Sequence, residues 1–188
     1  MCCLRYFLIL SALVFITACD GSASAGSSQP RSLETRYDAQ IQQATSRYLG
    51  RAWTWERLWA QYYQESLHDV NAVSHVGARG IAQFLPSTWD EVSEQLGFNA
   101  SPHSARHAIP AGAYYMRRLY EQWTSPRPED DRKKLSEASY NAGLGGTLSA
   151  QRRCHGATLY EGVEPCLPQE TRTYVRRIQH WYNLKRTR

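Results

Sequence analysis

Between residues 55 and 66 apolar and aromatic side chains return every three or four positions. Trp55, Leu58, Trp59, Tyr62 and Tyr63 fall on one side of a helix, with Glu65 on its shoulder. The same period predicts helices over 33–49, 54–67, 87–96, 108–123, 131–140, 144–152 and 169–184. Breaks fall at Gly50, Gly77 to Gly80, Gly97, Pro126 to Pro128, Gly143 to Gly146 and Pro165 to Pro168, where glycine and proline interrupt a helix. Pro86-Ser87-Thr88 reads as a helix start. Period-two alternation is scarce, so the pattern predicts an all-α, single-domain fold. Within it, Glu65 is a carboxyl beside aromatic surface. Lost hydration disfavours its charged form, which suits a proton donor near neutral pH.

The 188 residues, 42% of them hydrophobic, suffice for the core of one domain and fall short of two of ordinary size. The ends differ from the middle. One basic residue, Arg5, precedes an apolar run from Tyr6 to Ile16 that is too short to span a bilayer as a helix but suits a secretory leader. Ile16-Thr17-Ala18-Cys19 resembles a bacterial lipobox, whose cysteine is lipidated and becomes the first residue of the mature chain. The expected organisation is a lipoprotein signal peptide over 1–18, a Ser/Gly/Ala-rich tether over 19–31 and a domain over 32–188. Asp20 resembles an inner-membrane retention signal of enteric lipoproteins. The expected location is therefore the periplasmic side of a bacterial envelope, lipid-anchored through Cys19.

Export changes how the cysteines and the charge read. Of five cysteines, Cys2 and Cys3 leave with the leader and Cys19 takes the lipid, so Cys154 and Cys166 remain as a pair. In an oxidising compartment they read as a disulfide. A net charge of +5 with 12 Tyr and 6 Trp fits either nucleic acid or an anionic polysaccharide whose sugar faces stack on aromatics. An exported, acylated chain seldom meets nucleic acid, which leaves the polysaccharide. The basic cluster near the C-terminus, including Arg172, Arg176 and Arg177, also reads as a solvated helix face.

Three blocks carry a more specific signal. The first runs through Gln64-Glu65-Ser66, Asn71-Ala-Val-Ser74, Gly77-Ala-Arg-Gly80-Ile-Ala-Gln83, Pro86 and Thr88. The second is Ala138-Ser-Tyr140-Asn141-Ala142-Gly143, and the third is Glu170-Thr171 followed by Tyr174-Val175. In kind and order they resemble the motifs of the lytic transglycosylases, which cut the glycan strands of bacterial cell walls without water. Leu85 departs from the methionine many relatives carry there, a like-for-like apolar change. The resemblance spans roughly 55–182 and implies a lysozyme-like fold. It places the catalytic acid/base at Glu65 and substrate contacts at Ser66, Gln83, Tyr140, Asn141, Glu170 and Tyr174, with no cofactor. Ser66 is expected to hydrogen-bond so as to orient the acid or its surroundings. For Gln83 a cleft amide stands beside core packing or helix capping, and for Asn141 a cleft residue beside a turn former. Partners implied are peptidoglycan, the membrane through Cys19, and envelope machinery.

Rival chemistry is thinner. His103 and His107 have an i, i+4 spacing without the glutamate of a zinc-protease helix, and no metal is expected. Gly143-Leu-Gly-Gly146 lacks the lysine of a phosphate loop. Most glycosidases use two carboxylates about 5–9 Å apart. Here one is placed by motif, which suffices if the substrate supplies the second group. A goose-type lysozyme-like hydrolase using Asp69, and a non-catalytic glycan-binding lipoprotein, remain alternatives.

Overall fold

A computed structural model describes residues 36–187. The expected leader over 1–18, Cys19, the tether and the domain start at 32 lie outside the described residues. Within them the chain forms α1 (Asp38–Tyr48), α2 (Trp55–Ser66), α3 (Pro86–Leu96), α4 (Ala105–Gln122), α5 (Glu129–Ala142), α6 (Leu144–Arg153), α7 (Tyr160–Val163) and α8 (Gln169–Arg186), with 3₁₀ turns at Gly50–Ala52 and Glu164–Cys166. The fold is all-α, and extended pairing among the described residues is confined to isolated bridges Val73–Arg79 and Arg79–Phe84. No described helix is long and apolar enough to cross a membrane.

Helix α2 is the axis of the core. Leu58, Trp59, Ala60 and Tyr62 have no exposed surface. Burying each large apolar side chain contributes about 1.5–3 kcal/mol relative to exposure. Antiparallel to α2 lies α8: Tyr174 reaches Glu65, Trp181 reaches Gln64, and the Lys185 ammonium sits 4.6 Å from the centre of the Trp59 ring. On the other side Tyr62 crosses α4 at Gly112, where a Cβ would stand 2.6 Å from its hydroxyl. That close approach lets Tyr62 donate to the Ile109 carbonyl at 2.6 Å and holds α2, and with it the Glu65 end, in register.

The predicted helices are present, with shifted limits. Helix α4 starts at Ala105, ahead of the expected 108, because the Ser104 carbonyl accepts the amides of His107 and Ala108 and so opens the helix within a polar stretch. Helix α5 gains an acidic first turn, Glu129-Asp130-Asp131, favoured at a helix N-terminus. Four-residue α7 is too short to leave a period in the sequence. A disulfide joins Cys154, after α6, to Cys166, before α8.

Inside the core, Arg57 (3% exposed) meets the fully buried Glu137 through a two-pronged contact, Nε to Oε1 at 2.6 Å and Nη2 to Oε2 at 3.2 Å. Its Nη1 donates to Asp130 at 2.6 Å. Burial works against the charged guanidinium, but Glu137 and Asp130 outweigh it and hold Arg57 above its ordinary range. Removing one member of such a pair costs about 3–5 kcal/mol, because the other is left buried and uncompensated.

Candidate active site

Glu65 lies in the last turn of α2, and the chain then turns abruptly: Leu67 and His68 take left-handed backbone with φ of 55° and 63°. A third non-glycine residue, Gln83, does the same at φ 46°. Each such residue costs about 1–3 kcal/mol, and such strain clusters at functional sites. Between them the loop from Asn71 to Phe84 folds onto itself. Arg79 and Phe84 exchange backbone hydrogen bonds at 2.9 and 3.0 Å, and Gly80 donates to Ala72 at 2.9 Å. Gly80 packs so closely on the next connection that a Cβ would lie 2.0 Å from the Pro102 carbonyl oxygen.

Three side chains from three helices fasten this loop and the acid together. Ser66 donates to the Ile81 carbonyl at 3.0 Å, and Tyr140 of α5 donates to the Ala82 carbonyl at 2.8 Å. Tyr174 of α8 donates to Glu65 Oε1 at 2.5 Å. A further bond, Thr171 to Asn141 Oδ1 at 2.8 Å, ties α8 to the end of α5. Glu65, half-buried, is thus walled by the phenols of Tyr62, Tyr140 and Tyr174.

Its electrostatics follow from that wall. Burial strips water from the carboxyl and pushes it from its ordinary 4.5 up to about 8, with the Tyr174 hydrogen bond pulling the other way. The three phenols are themselves pushed well above their ordinary range, chiefly by burial, so they remain protonated donors. At neutral pH Glu65 therefore holds a proton it can give. Once it has given it, Tyr174 stabilises the carboxylate.

The residues expected to touch substrate do not all point alike. Tyr174 donates to the acid, and Tyr140, whose hydroxyl is given to the Ala82 carbonyl, stands close enough to feel its charge. Ser66 does not touch the acid: its hydroxyl bonds the Ile81 and Tyr62 carbonyls, because the loop brings an unpaired backbone acceptor against it. The Gln83 amide nitrogen donates to Gly80 at 2.9 Å and Ala72 at 3.3 Å, which closes the loop and takes up the donors expected to face a sugar. Asn141, in the last turn of α5, accepts from the Thr171 hydroxyl. Glu170 stands in the first turn of α8, one turn before Tyr174. Exposed Asp69 accepts from the Asn71 amide at 2.8 Å, so it braces its own turn. His103 and His107 bond separately, to the Val70 carbonyl at 2.7 Å and the Ser104 hydroxyl at 2.9 Å.

The sequence reading missed the Arg57–Glu137 pair and Gln61, a fully buried residue whose amide makes no hydrogen bond among the described residues. Their signal was present: Arg57, Gln61 and Glu65 recur every four residues, and Glu137 precedes Tyr140 by three.

Residues 40–158 match the family described as Transglycosylase SLT domain. The membrane-bound lytic murein transglycosylase F of Maricaulis maris is 37% identical over 98 residues, 52% of this chain. That of Ectopseudomonas mendocina is 31% identical over 134 residues, 70% of this chain. The chain spans only 20% and 26% of the length of these curated relatives. Among solved structures, an inactive mutant of the lytic transglycosylase Slt from Pseudomonas aeruginosa superposes with a TM-score of 0.65 at 23% identity, over 82% of this chain and 25% of that one. The 70 kDa soluble lytic transglycosylase from Escherichia coli gives 0.61 at 24% identity, over 74% and 23%. Both likenesses concern the fold.

Proposed function

This chain belongs to the Transglycosylase SLT domain family, and on that premise we propose that it cleaves peptidoglycan at the β-1,4 bond between N-acetylmuramic acid and N-acetylglucosamine without water. Glu65, protonated, gives its proton to the glycosidic oxygen as the bond to C1 breaks. The muramyl N-acetyl carbonyl stabilises C1. Glu65, now a carboxylate, takes the proton of the C6 hydroxyl, whose oxygen closes onto C1. A 1,6-anhydromuramyl end forms and the acid is regenerated.

The observation that carries this reading is an inward carboxyl raised to about 8 and held by a phenol, with no cation paired to it among the described residues. A single group must be acid first and base second, and a value near working pH serves both steps. In a hydrolase of the goose type, a second carboxylate would hold water. Asp69, the candidate for that part, is committed to the Asn71 amide.

We further propose that Cys19 carries a lipid, which holds the domain at the periplasmic face of a membrane beside its substrate, where envelope machinery would also be met. Lipid labelling in the native host should be lost in Cys19→Ala; an unlabelled wild type would remove the anchor. For the chemistry, Glu65→Gln keeps size and part of the hydrogen bonding but cannot move a proton. Its turnover on purified sacculi is expected to fall about 10²–10⁴-fold, while co-sedimentation with sacculi persists. Turnover equal to wild type would refute the assignment of Glu65.

A further inference from the structure

Arg57, Gln61 and Glu65 stand on successive turns of α2, each about 40° round the helix from the last; Arg57 reaches α5 and α8, and Glu65 reaches α8. A guanidinium on the same helix as a carboxyl that must stay protonated works against it. Two turns separate them by about 12 Å along the axis. At an effective dielectric of about 20, a bare unit charge at that range lowers a carboxyl by about one pH unit.

The guanidinium is not bare. Glu137 grips it at 2.6 and 3.2 Å, Asp130 takes Nη1 at 2.6 Å, and the other Asp130 oxygen takes Lys134 Nζ at 2.7 Å. Two cations and two carboxylates make a cluster of zero net charge. The turn between it and the acid holds Gln61, a neutral residue with no exposed surface. The groups facing Glu65 are Tyr62 from its own helix, Tyr140 from α5 and Tyr174 from α8, with Glu170 one turn before Tyr174. Those facing Arg57 are Glu137 and Asp130 of α5, together with the rings of Trp53 and, from α8, Tyr182. The two neighbourhoods touch: the charge of Glu137 acts on Tyr174, the phenol that donates to Glu65.

We propose that Glu137 is a positioning residue for the acid, acting through Arg57: it closes the charge of the buried guanidinium so that no cation's field reaches Glu65 from within its own helix. This rests on Glu65 being the acid. A purely structural ion pair would affect melting and leave the ionisation of Glu65 where it is.

The test titrates the Glu65 carboxyl by ¹³C NMR in the folded, substrate-free protein, with Glu65→Gln used to assign the signal. The same variants are then taken through a pH–rate profile on sacculi. Glu137→Gln should lower the Glu65 midpoint by about one pH unit, with the alkaline limb of the rate profile following it down. Arg57→Gln combined with Glu137→Gln removes both charges and should return the midpoint to the wild-type value. Should Glu137→Gln fail to fold, Asp130→Asn, at the exposed edge of the cluster, should move the midpoint the same way by a smaller amount. An unmoved midpoint in a folded Glu137→Gln overturns the proposal, as does a fall that persists in the double variant. If only Asp130→Asn folds, its unmoved midpoint does so. The NMR titration needs no turnover. A wild type that releases no anhydro ends would thus sink the functional reading and leave this result standing by itself.

Discussion

Glu137 meets a guanidinium inside the domain, whereas Glu65 meets a phenol, and that difference in neighbours sets what each carboxyl can do. The ionisation of Glu65 has a consequence for stability with a definite sign. Its folded value, about 8, lies above its ordinary 4.5. The protonated carboxyl's contribution is therefore fully present below pH 4.5 and is lost as pH rises through about 8. Glu65→Gln should accordingly gain in melting temperature relative to wild type as pH goes from 5 to 9, read by calorimetry; a constant difference would mean the carboxyl is not raised. Activity should fall over the same upper window, as the donor loses its proton. Tyr174→Phe removes the hydrogen bond that pulls Glu65 down, so its alkaline limb should move to higher pH. A limb moved to lower pH would contradict the role given to Tyr174. The aromatic setting of Glu65 was legible in the sequence, because its apolar neighbours share its helix and spacing reveals them. The inward turn of Ser66 and Gln83 was not, since it depends on the path of a loop whose backbone includes a left-handed glutamine.

At the scale of elements, the site is a helix end, a folded loop and two further helices pinned to it by single hydrogen bonds. Gly80 is where the loop is set against the connection between α3 and α4. A methyl group at Gly80, 2.0 Å from the Pro102 oxygen and on backbone with φ of 73°, forces the loop away. Gly80→Ala should therefore speed proteolytic nicking within 71–84 and raise KM more than it lowers kcat, because the acid stays on α2. A larger loss in kcat than in KM would show that the loop takes part in the chemical step. Helix positions were readable because packed helices repeat every 3.6 residues. The Val73–Arg79–Phe84 bridges and α7 were not, as each is shorter than any period that could announce it. Partners 80 residues apart, like Arg57 and Glu137, meet only once α2 and α5 are packed.

Across the whole molecule, one core built round α2 supports a site at a single end of that helix, and the cysteine bridge secures the connection leading into α8, which carries Tyr174. The pairing of Cys154 with Cys166 was legible once the expected leader and lipid site had set Cys2, Cys3 and Cys19 aside. Closing a loop of this length stabilises by roughly 3 kcal/mol in the chain-entropy model. For a domain of this size that is a melting shift on the order of 10 °C, which Cys154→Ser with Cys166→Ser should lose. An unchanged melting temperature would show the bridge to be dispensable. In the proposed chemistry a single carboxyl, raised by burial and partnered by a phenol, breaks the muramyl bond by internal ring closure. The most direct measurement is mass spectrometry of muropeptides released from purified sacculi by the wild-type protein in ¹⁸O water. Internal ring closure should give 1,6-anhydromuramyl ends, one water lighter than hydrolytic ends and free of ¹⁸O at the cleaved carbon; reducing ends carrying ¹⁸O would contradict it.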